Sequence, residues 1–555
     1  MAKNKIEFLI LEACEKSNLK SIPSKIKLDI PKISSQGDWS SNIALLIAKD
    51  NNKKPIEIAN IIVEKLKKSD CFEKIEIAGP GFINFFLTNS FYNELLQSIL
   101  DKNQNIKINK IENYQKLMIE VVSANPTGYL HIGHARNSVI SLILSKLYET
   151  KGYSVTKCYY INDAGAQMNN LVNSVYIKYA IEQCNNHLTL DEETMKDYYK
   201  GEEISECAKK LFEKYNESLL DIDFANKNRL SATIHQQILD FSYGFFLREI
   251  KKDLLSIGLF IDDLNWISEK SLEKNSKLIL QKLSKNKFTY ENDNALILKT
   301  TIFGDDKDRV LKKSNGEYTY LVNDITLHDW KFSQNFDKYI NIFGADHHGY
   351  IPRLKASIEM LGYNSAKLEI CEMQLVRLIK DDSEYKMSKR KGTSVYFRDL
   401  VSEVNADVTK CMIISQPLTS KIDFNMNIAF SKGNENPYYY FCYAYVRCLK
   451  LLKKINSFSF TNEYLIELQK EKEIILEMSN FNQVLDKCIK DNDPHYLFHY
   501  LSNFSKMFHS YYSDTKIIDE NNLIKTNKKL NFIYIIKKLL DEIFIILCLN
   551  KQIEM

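Results

Sequence analysis

Hydrophobic positions recur at helical spacing over residues 42–48 and 55–67, then at strand spacing over 74–78 and 82–87. The two strand-like runs flank the turn Gly79-Pro80-Gly81, so the chain up to about residue 112 predicts a small α+β domain. A polar stretch over 106–114 reads as a connector. Residues 117–122, Leu-Met-Ile-Glu-Val-Val, predict a buried strand. From there short apolar runs alternate with helical patterns, the signature of a parallel α/β sheet. Residues 170–290 predict mostly helix, Lys-rich and nearly free of motifs, inserted between two halves of that sheet. Strand signals fade after about 400, and after Gly433 no glycine follows. Amphipathic patterns over 438–454, 494–512 and 531–549 predict a helical bundle. The expected organisation is therefore an α+β domain at 1–112, a parallel-sheet domain at 113–400 and an all-α domain at 401–555.

Composition changes this picture little. A chain of 555 residues with 45% hydrophobic and 26% charged residues is ordinary globular protein, not a disordered or fibrous one. Seventy-five basic against 71 acidic residues leave +4, too little to point to nucleic acid, although a local basic face stays open. No apolar run approaches the ~18 residues of a membrane span, and the start Met1-Ala-Lys-Asn-Lys5 lacks a signal-peptide pattern. The eleven cysteines, from Cys14 to Cys548, form no CxxC pair, which argues for reduced thiols in a cytoplasmic setting, with no disulfide frame and no structural metal. Only nine of the basic residues are arginine. Where arginine persists in so Lys-rich a chain, a planar fork is the feature lysine cannot supply. Thirteen of the 17 glycines lie from Gly128 to Gly392, so close backbone approach to a ligand concentrates mid-chain.

Two passages carry chemistry. The first runs Glu120-Val-Val-Ser123-Ala-Asn125-Pro126-Thr127-Gly128-Tyr-Leu-His131-Ile-Gly133-His134-Ala-Arg136-Asn137: a strand, a tight turn, then a helix starting near His131. Ligands bind at the carboxyl ends of such strands, and free N–H groups of a helix start favour anions. His131 and His134 project from one helical face. A lone HxxH is more often a surface or core pair, and a metal reading lacks a third ligand at regular spacing. The second passage is Lys386-Met387-Ser388-Lys389-Arg390-Lys391-Gly392, four cations within six residues, suited to a polyphosphate whose charge grows in a transition state. Taken alone it would more often be a solvated face.

Together, His131-Ile-Gly-His134 and Lys386-Met-Ser-Lys389 resemble the two signatures of class I aminoacyl-tRNA synthetases. Tyr160-Ile-Asn162-Asp163-Ala-Gly165-Ala-Gln167, Asp308-Arg309-Val310, Tyr320-Leu-Val-Asn323-Asp324 and Gly344-Ala-Asp346-His347-His348-Gly349 narrow the resemblance to the arginyl-tRNA synthetase family. At the ends, Gly37-Asp38-Trp39 with Asn84-Phe-Phe86 is similar to that family's N-terminal tRNA-binding domain, and Tyr443-Ala-Tyr-Val-Arg447 to its anticodon-binding domain.

The resemblance implies a Rossmann-type catalytic domain that joins arginine to tRNA at the expense of ATP, with Mg²⁺ accompanying the nucleotide, in a cytoplasmic monomer. It implies catalytic roles for His131, His134, Lys386 and Lys389. ATP would be held by these with Thr127, Gly133, Met387 and Ser388. Arginine would be held by Glu120, Ser123, Asn125, His134, Tyr320, Asp324 and His348, with Glu120 and Asp324 facing the guanidinium. Two carboxylates are the right polarity for that cation. Each also has a plainer reading: a strand-end salt bridge for Glu120, a helix cap for Asp324, core packing for Tyr320. Which of His347 and His348 points inward stays open. Asn84, Phe86, Tyr443 and Arg447 are implied for tRNA. A cysteinyl relative would need zinc-ligand cysteines, and a small nucleotidyltransferase would not need these end domains. A paralogue that binds tRNA without charging it would show damage in the two signatures, which are intact. Where the family usually has Gly-x-Asp-x-x-Arg, this chain has Asn405-Ala-Asp407-Val-Thr-Lys410, which puts the linker into the helical domain in doubt.

Overall fold

The computed structural model describes residues 2–29, 31, 33–185, 198–221, 224, 230–385, 395–455 and 458–554. Residues 386–394, which hold the whole lysine signature, lie outside the described residues.

The N-terminal part is a four-stranded antiparallel sheet in the order Leu28–Asp29, Trp39–Ser41, Phe82–Leu87, Phe72–Ala78, with helices Ala2–Lys16, Pro55–Leu66 and Asn89–Ile99 beside it. The strands at 72–78 and 82–87 pair across the Gly79–Gly81 turn, where both glycines have positive φ. Gly37 is needed for close approach: a Cβ there would sit 2.8 Å from the Phe85 carbonyl oxygen. From Ile99 the connector runs across the molecule. Its backbone is bound by Asn482 at Lys107 and Asn109, and by Lys151 at Ile111.

The centre is a five-stranded parallel sheet in the order Leu264–Ser268, Ser154–Ile161, Lys116–Glu120, Lys338–Gly344, Leu368–Met373. Numbered along the chain that is 3-2-1-4-5, so the direction of winding reverses between Lys116–Glu120 and Lys338–Gly344. A doubly wound sheet binds its ligand in that crevice. Helix Ile132–Thr150 leaves the first of these strands and is buried from Ala135 to Tyr148 on nearly every side, which is why its pattern shows little amphipathicity.

Two features of the expected helical insertion need correction. The chain does insert helices Ala166–Lys178, Glu202–Tyr215 and Ala232–Ser256, but residues 170–290 also contain strand Leu264–Ser268, the sheet's edge. Five residues, of which Asn265 is exposed and Trp266 and Ser268 only partly buried, give too weak an apolar run to read as a strand. Beyond it lies an unanticipated three-stranded antiparallel sheet, Thr289–Asn292, Ala295–Leu298 and Arg309–Lys312. Its first two strands turn through Asp293 and Asn294, at φ +48° and +60°, the two-residue hairpin signal that could have revealed it.

After the central sheet, strands Val376–Lys380 and Ile422–Asn425 pair in parallel, with Ser383–Glu384 antiparallel on the other side. Helices Phe397–Val404 and Ala406–Ile413 lie between. Asn405 takes the place of the family glycine at φ +72° and its side chain caps the second of these helices through Val408 N–H, 2.9 Å. Lys410 donates to the Cys548 carbonyl and pairs with Asp407 at 2.9 Å, and Asp407 accepts from Asn550. The departure from the family pattern therefore still pins the C-terminal tail. Helices Pro437–Lys454, Gln469–Ser479, Phe481–Asp491, His495–Asp514 and Leu523–Ile546 complete the bundle.

Candidate active site

The site grows from the end of strand Lys116–Glu120. Val122 and Ser123 follow at φ +59° and +53°, a conformation rare for a β-branched residue and maintained only when the surroundings enforce it. Asn137, on the helix, accepts from Val122 N–H at 3.0 Å and donates to the Ile342 carbonyl at 3.1 Å, stitching the turn across the crevice. Tyr159 Oη accepts from Ala124 N–H and donates to Ala124 O, each at 3.0 Å. Ser123 Oγ accepts from Tyr160 N–H at 3.1 Å. The strain is thus distributed over fixed partners from two neighbouring strands and one helix.

His131 is the N-cap of helix Ile132–Thr150. Its Nδ1 accepts from Gly133 N–H at 3.1 Å, and His134 Nδ1 accepts from His131 N–H at 3.2 Å, a reciprocal capping box. The rings stack with centroids 3.8 Å apart. An Nδ1 that accepts is unprotonated, so each neutral ring carries its proton on Nε2. Burial, with the adjacent ring, pushes His134 down to about 3. The cap therefore sets two Nε2–H donors. Gly133 has a defined part in this: a Cβ there would lie 3.0 Å from His131 Cε1 and 3.2 Å from its Nδ1, pressing on the capping ring. The cavity in front measures about 780 Å³ and is bounded by Asn125, Thr127, Gly128, His131 and His134. Residues 199–203 of the helical insertion close its far side, where Glu203 accepts from the Tyr396 hydroxyl.

The chain that follows the lysine passage returns to the histidine passage. Although 386–394 is not described, the chain just after it is bonded to the histidine passage: Ile132 N–H to Val395 O at 3.1 Å, Phe397 N–H to Leu130 O at 2.7 Å, with a bridge between His131 and Tyr396. Lys386, Met387, Ser388 and Lys389 themselves lie outside the described residues.

Next to this cavity is an acidic pocket. Asp324 stands one turn into helix Tyr320–Ser333, where its carboxylate accepts from Tyr350 Oη. Burial raises its pKa to about 6 against that hydrogen bond, and Glu120 adds to the rise. Glu120 does not stand free, as its plainer reading anticipated: Lys331 donates to one of its oxygens and, at 2.9 Å, to Asn341 Oδ1. Lys331 is 1% exposed. Burial would raise Glu120, but this cation outweighs it and holds the carboxyl below its ordinary value. Asn341 donates to His328 Nε2 at 2.9 Å, and His328 Nδ1 donates to the Asp324 carbonyl at 2.8 Å. Burial pushes His328 down to about 3, so it is the neutral Nδ1–H tautomer.

A third carboxylate, Glu269, escaped sequence reasoning. It is 9% exposed, accepts from Asn323 at 2.7 Å, faces Tyr160, and burial lifts it to about 7. A cavity of about 150 Å³ lies between Tyr160, Gly165, Glu269 and Asn323. Nothing in the string around Glu269 marks it, because it is the first residue of an ordinary Lys-rich helix capped by Ser268; Tyr160 at least stood within a recognised motif.

The other expected residues are placed as follows. Asn125 donates to Gln167 Oε1 at 2.6 Å beside the cavity. Tyr320 is 68% exposed at the helix start, not core. His347 lies 3.6 Å from Asp346 with its ring 6.4 Å from that of Tyr350, the partner of Asp324, whereas His348 is turned to Glu372 at 2.6 Å and is 78% exposed at its side chain. Asn84 is buried within the N-terminal sheet, so its side chain is not presented to a partner, while Phe86 lies partly exposed under Lys74. Tyr443 donates to the Lys432 carbonyl at 3.1 Å. Arg447 donates to His509 Nδ1 at 2.7 Å and covers the Tyr512 ring at 4.6 Å. Among the described residues no group of three or more His, Cys, Asp or Glu is arranged to hold a metal ion, and no helix is long and apolar enough to cross a membrane.

Comparison with known proteins agrees with this geometry. A family model described as tRNA synthetases class I (R), catalytic domain, matches residues 95–422. The arginyl tRNA synthetase N terminal domain matches 4–87, and the DALR anticodon binding domain matches 441–555. An arginine–tRNA ligase of Oceanobacillus iheyensis is 37% identical over 95% of this chain and 94% of its own. One from Mesoplasma florum is 36% identical over 95% and 97%. The solved arginyl-tRNA synthetase of Thermus thermophilus shares the fold over the full length of both chains, with TM-score 0.73 at 17% identity. With a doubly wound sheet, paired histidines capping the helix at its switch point and end domains matching at both termini, this chain belongs to the arginyl-tRNA synthetases.

Proposed function

We propose that the chain is an arginine–tRNA ligase that forms arginyl-adenylate from L-arginine and ATP and passes the arginyl group to the terminal adenosine of its tRNA. The observation that carries the reading is two groups of opposite need on one sheet: paired Nε2–H donors at the helix start that follows strand Lys116–Glu120, and the carboxylates Glu120 at the end of that strand, Glu269 just past strand Leu264–Ser268, and Asp324, on which Glu120 acts. The first suits phosphate and the second a guanidinium.

In the first step a carboxylate oxygen of arginine attacks the α-phosphorus, and the bond to the β-phosphate oxygen breaks, releasing pyrophosphate. In the second, a ribose hydroxyl of the tRNA attacks the arginyl carbonyl, its proton passes to the departing phosphate, and the bond between carbonyl carbon and phosphate oxygen breaks to release AMP. Neither step needs a protein nucleophile, so catalysis lies in alignment and in charge stabilisation. His131 and His134 donate from Nε2 to phosphate and ribose oxygens. Thr127 and Gly133 border the nucleotide, and Lys386 and Lys389, with Met387 and Ser388, attend the leaving pyrophosphate. Mg²⁺ arrives with ATP.

For arginine, Asp324 and Glu269 take the guanidinium, with Tyr320 across it and Tyr160 between them. Asn125 and Ser123 hold the amino-acid end. Because Lys331 already compensates Glu120, Glu120 orients the pocket floor and offers its second oxygen. His347, rather than His348, borders this pocket. Partly exposed Phe86, Tyr443 and Arg447 serve tRNA. The chain works as a cytoplasmic monomer, with domains near 1–112, 113–400 and 401–555.

The test is ATP–pyrophosphate exchange with each of the twenty amino acids, with and without bulk tRNA. Exchange is expected with arginine alone and only when tRNA is present. Exchange with a different amino acid would refute the specificity.

A further inference from the structure

The largest fully buried side chain among the described residues is a cation. Arg136 is 0% exposed, two residues beyond His134 on the same helix. Nη1 donates to Gln374 O at 2.6 Å and Ser420 O at 2.9 Å, and Nη2 donates to Pro417 O at 2.9 Å. These three carbonyls belong to the two segments that precede strands Val376–Lys380 and Ile422–Asn425. No carboxylate lies within salt-bridge range in the described structure; Asp493 acts on it from farther away. Burial lowers the guanidinium to about 10, which leaves it charged at neutral pH. Burying a charge among carbonyls is costly, so the arrangement calls for a reason.

The topology supplies one. Strand Val376–Lys380, with its partner Ser383–Glu384, leads directly into the lysine signature. The far end of that signature is tied to the histidine passage by the Val395 and Phe397 backbone bonds. The near end is tied to the histidine helix by Arg136. The same carbonyl-bearing loop is held from the bundle: Leu418 N–H donates to Asp493 Oδ2 at 2.9 Å, Leu418 O accepts from Gln374 N–H at 3.0 Å, and Asp493 Oδ1 accepts from His495 N–H at 3.1 Å at the start of helix His495–Asp514.

We propose that Arg136 is a positioning residue: it sets the register between the paired histidines and the base of strand Val376–Lys380, which precedes the lysine passage in the chain, and joins that register to the helical bundle through Leu418 and Asp493. This rests on the nucleotide site proposed above. A lysine cannot replace it, because three carbonyls in two directions need the planar fork and a single ammonium cannot span them.

The experiment compares the full-length wild type with Arg136→Lys, Asp493→Ala and the double variant. Rates of arginine-dependent, tRNA-supported ATP–pyrophosphate exchange are divided by the number of competent sites from active-site titration. Arg136→Lys is expected to lower the per-site kcat by roughly 30-fold with KM for arginine within about twofold, the pattern of an interaction realised in the transition state. Asp493→Ala should lose about fivefold, and the double variant should be no worse than Arg136→Lys alone, since both cut one path. A per-site kcat for Arg136→Lys equal to wild type, with only the number of competent sites reduced, would reduce Arg136 to a scaffold role and overturn the proposal. Fully multiplicative losses in the double variant would sever the link to the bundle. Should Arg136→Lys not fold, Asp493→Ala alone decides: wild-type turnover there refutes the path. Wild-type protein inactive with arginine would instead sink the proposed function, so the two failures are distinguishable.

Discussion

At the scale of single residues, the acidic pocket is a proton-linked device. Asp324 and Glu269 rest at about 6 and about 7 in the unliganded protein, raised by burial, whereas Glu120 is held ionised by Lys331. Folding therefore favours the protonated form of the first two. Below the ordinary carboxylate range the raised pKa values contribute their full stability, and the contribution is lost as pH rises through 6 and then 7. A bound guanidinium reverses the preference, since it needs the ionised forms, so arginine binding should expel protons and strengthen as pH rises over the same window. The expected outcome is that KM for arginine falls roughly tenfold from pH 6 to 7.5, while KM for ATP moves much less. Asp324→Asn should raise KM for arginine by about two orders of magnitude, as for an unpaired buried contact, and remove the lower inflection. A pH-independent KM for arginine in the wild type would mean the cation does not sit between these carboxylates. The arginine economy of the sequence also resolves at this scale. Arg309 closes a two-pronged pair on Asp305 at 2.8 Å for each bond, and Arg353 lies over the Tyr350 ring. Those positions kept the fork for structure, which composition could flag but not specify.

At the scale of elements, what was legible followed from periodicity, and what was not followed from its absence. The strands at 82–87 and 116–120 and the bundle helices stood out because each buries one face or all of itself in apolar contact, and the strand at 72–78 because Ile75 and Ile77 alternate on a partly buried face. Strand Leu264–Ser268 pairs on one side only, and Lys331, Glu269 and His328 owe their importance to partners tens to hundreds of positions away, which no local pattern encodes. The signature motifs were legible for the opposite reason, since a strained turn and a capped helix start must be built locally. Two such termini can be tested. Gly133→Ala should displace the His131 ring from its cap and lower kcat for adenylate formation by about 10- to 100-fold, with the fold intact by circular dichroism. An active Gly133→Ala enzyme would show that the cap does not set the donors. At Asn405, φ +72° and ψ +163° are glycine-like, and only the side-chain cap compensates. Asn405→Ala should therefore cost about 1–2 kcal/mol, read as a fall in Tm of a few degrees, whereas Asn405→Gly should be close to neutral.

At the scale of the whole molecule, the N-terminal part meets the bundle along helices Asn89–Ile99 and Gln469–Ser479 in a shared apolar core edged by polar contacts. A cavity of about 380 Å³ between them is bordered by Trp39, Asp38, Glu473 and Glu477, an acidic lining that repels a phosphate backbone. The polar edge of the contact includes Tyr534 Oη to Gln104 at 3.2 Å, Lys472 over the Tyr92 ring, and the connector strapped to Asn482. Asn482 matters most among these, because its one amide serves both partners of the strap: Oδ1 accepts from Asn109 N–H at 2.7 Å and Nδ2 donates to Lys107 O at 2.9 Å. Replacing it by alanine leaves two backbone groups to water and frees the connector without touching the crevice, which lies at the other end of strand Lys116–Glu120. The N-terminal part is then held less firmly in orientation, and a tRNA that contacts both end domains, as proposed above, must pay that ordering on binding. Asn482→Ala is accordingly expected to raise KM for tRNA by about three- to tenfold in aminoacylation, leave KM for arginine and ATP at wild-type values, and speed proteolytic cleavage around residues 107–112. If KM for arginine rose in step with that for tRNA, the strap would be acting on the sheet itself, and the separation of docking from chemistry drawn from this architecture would be wrong.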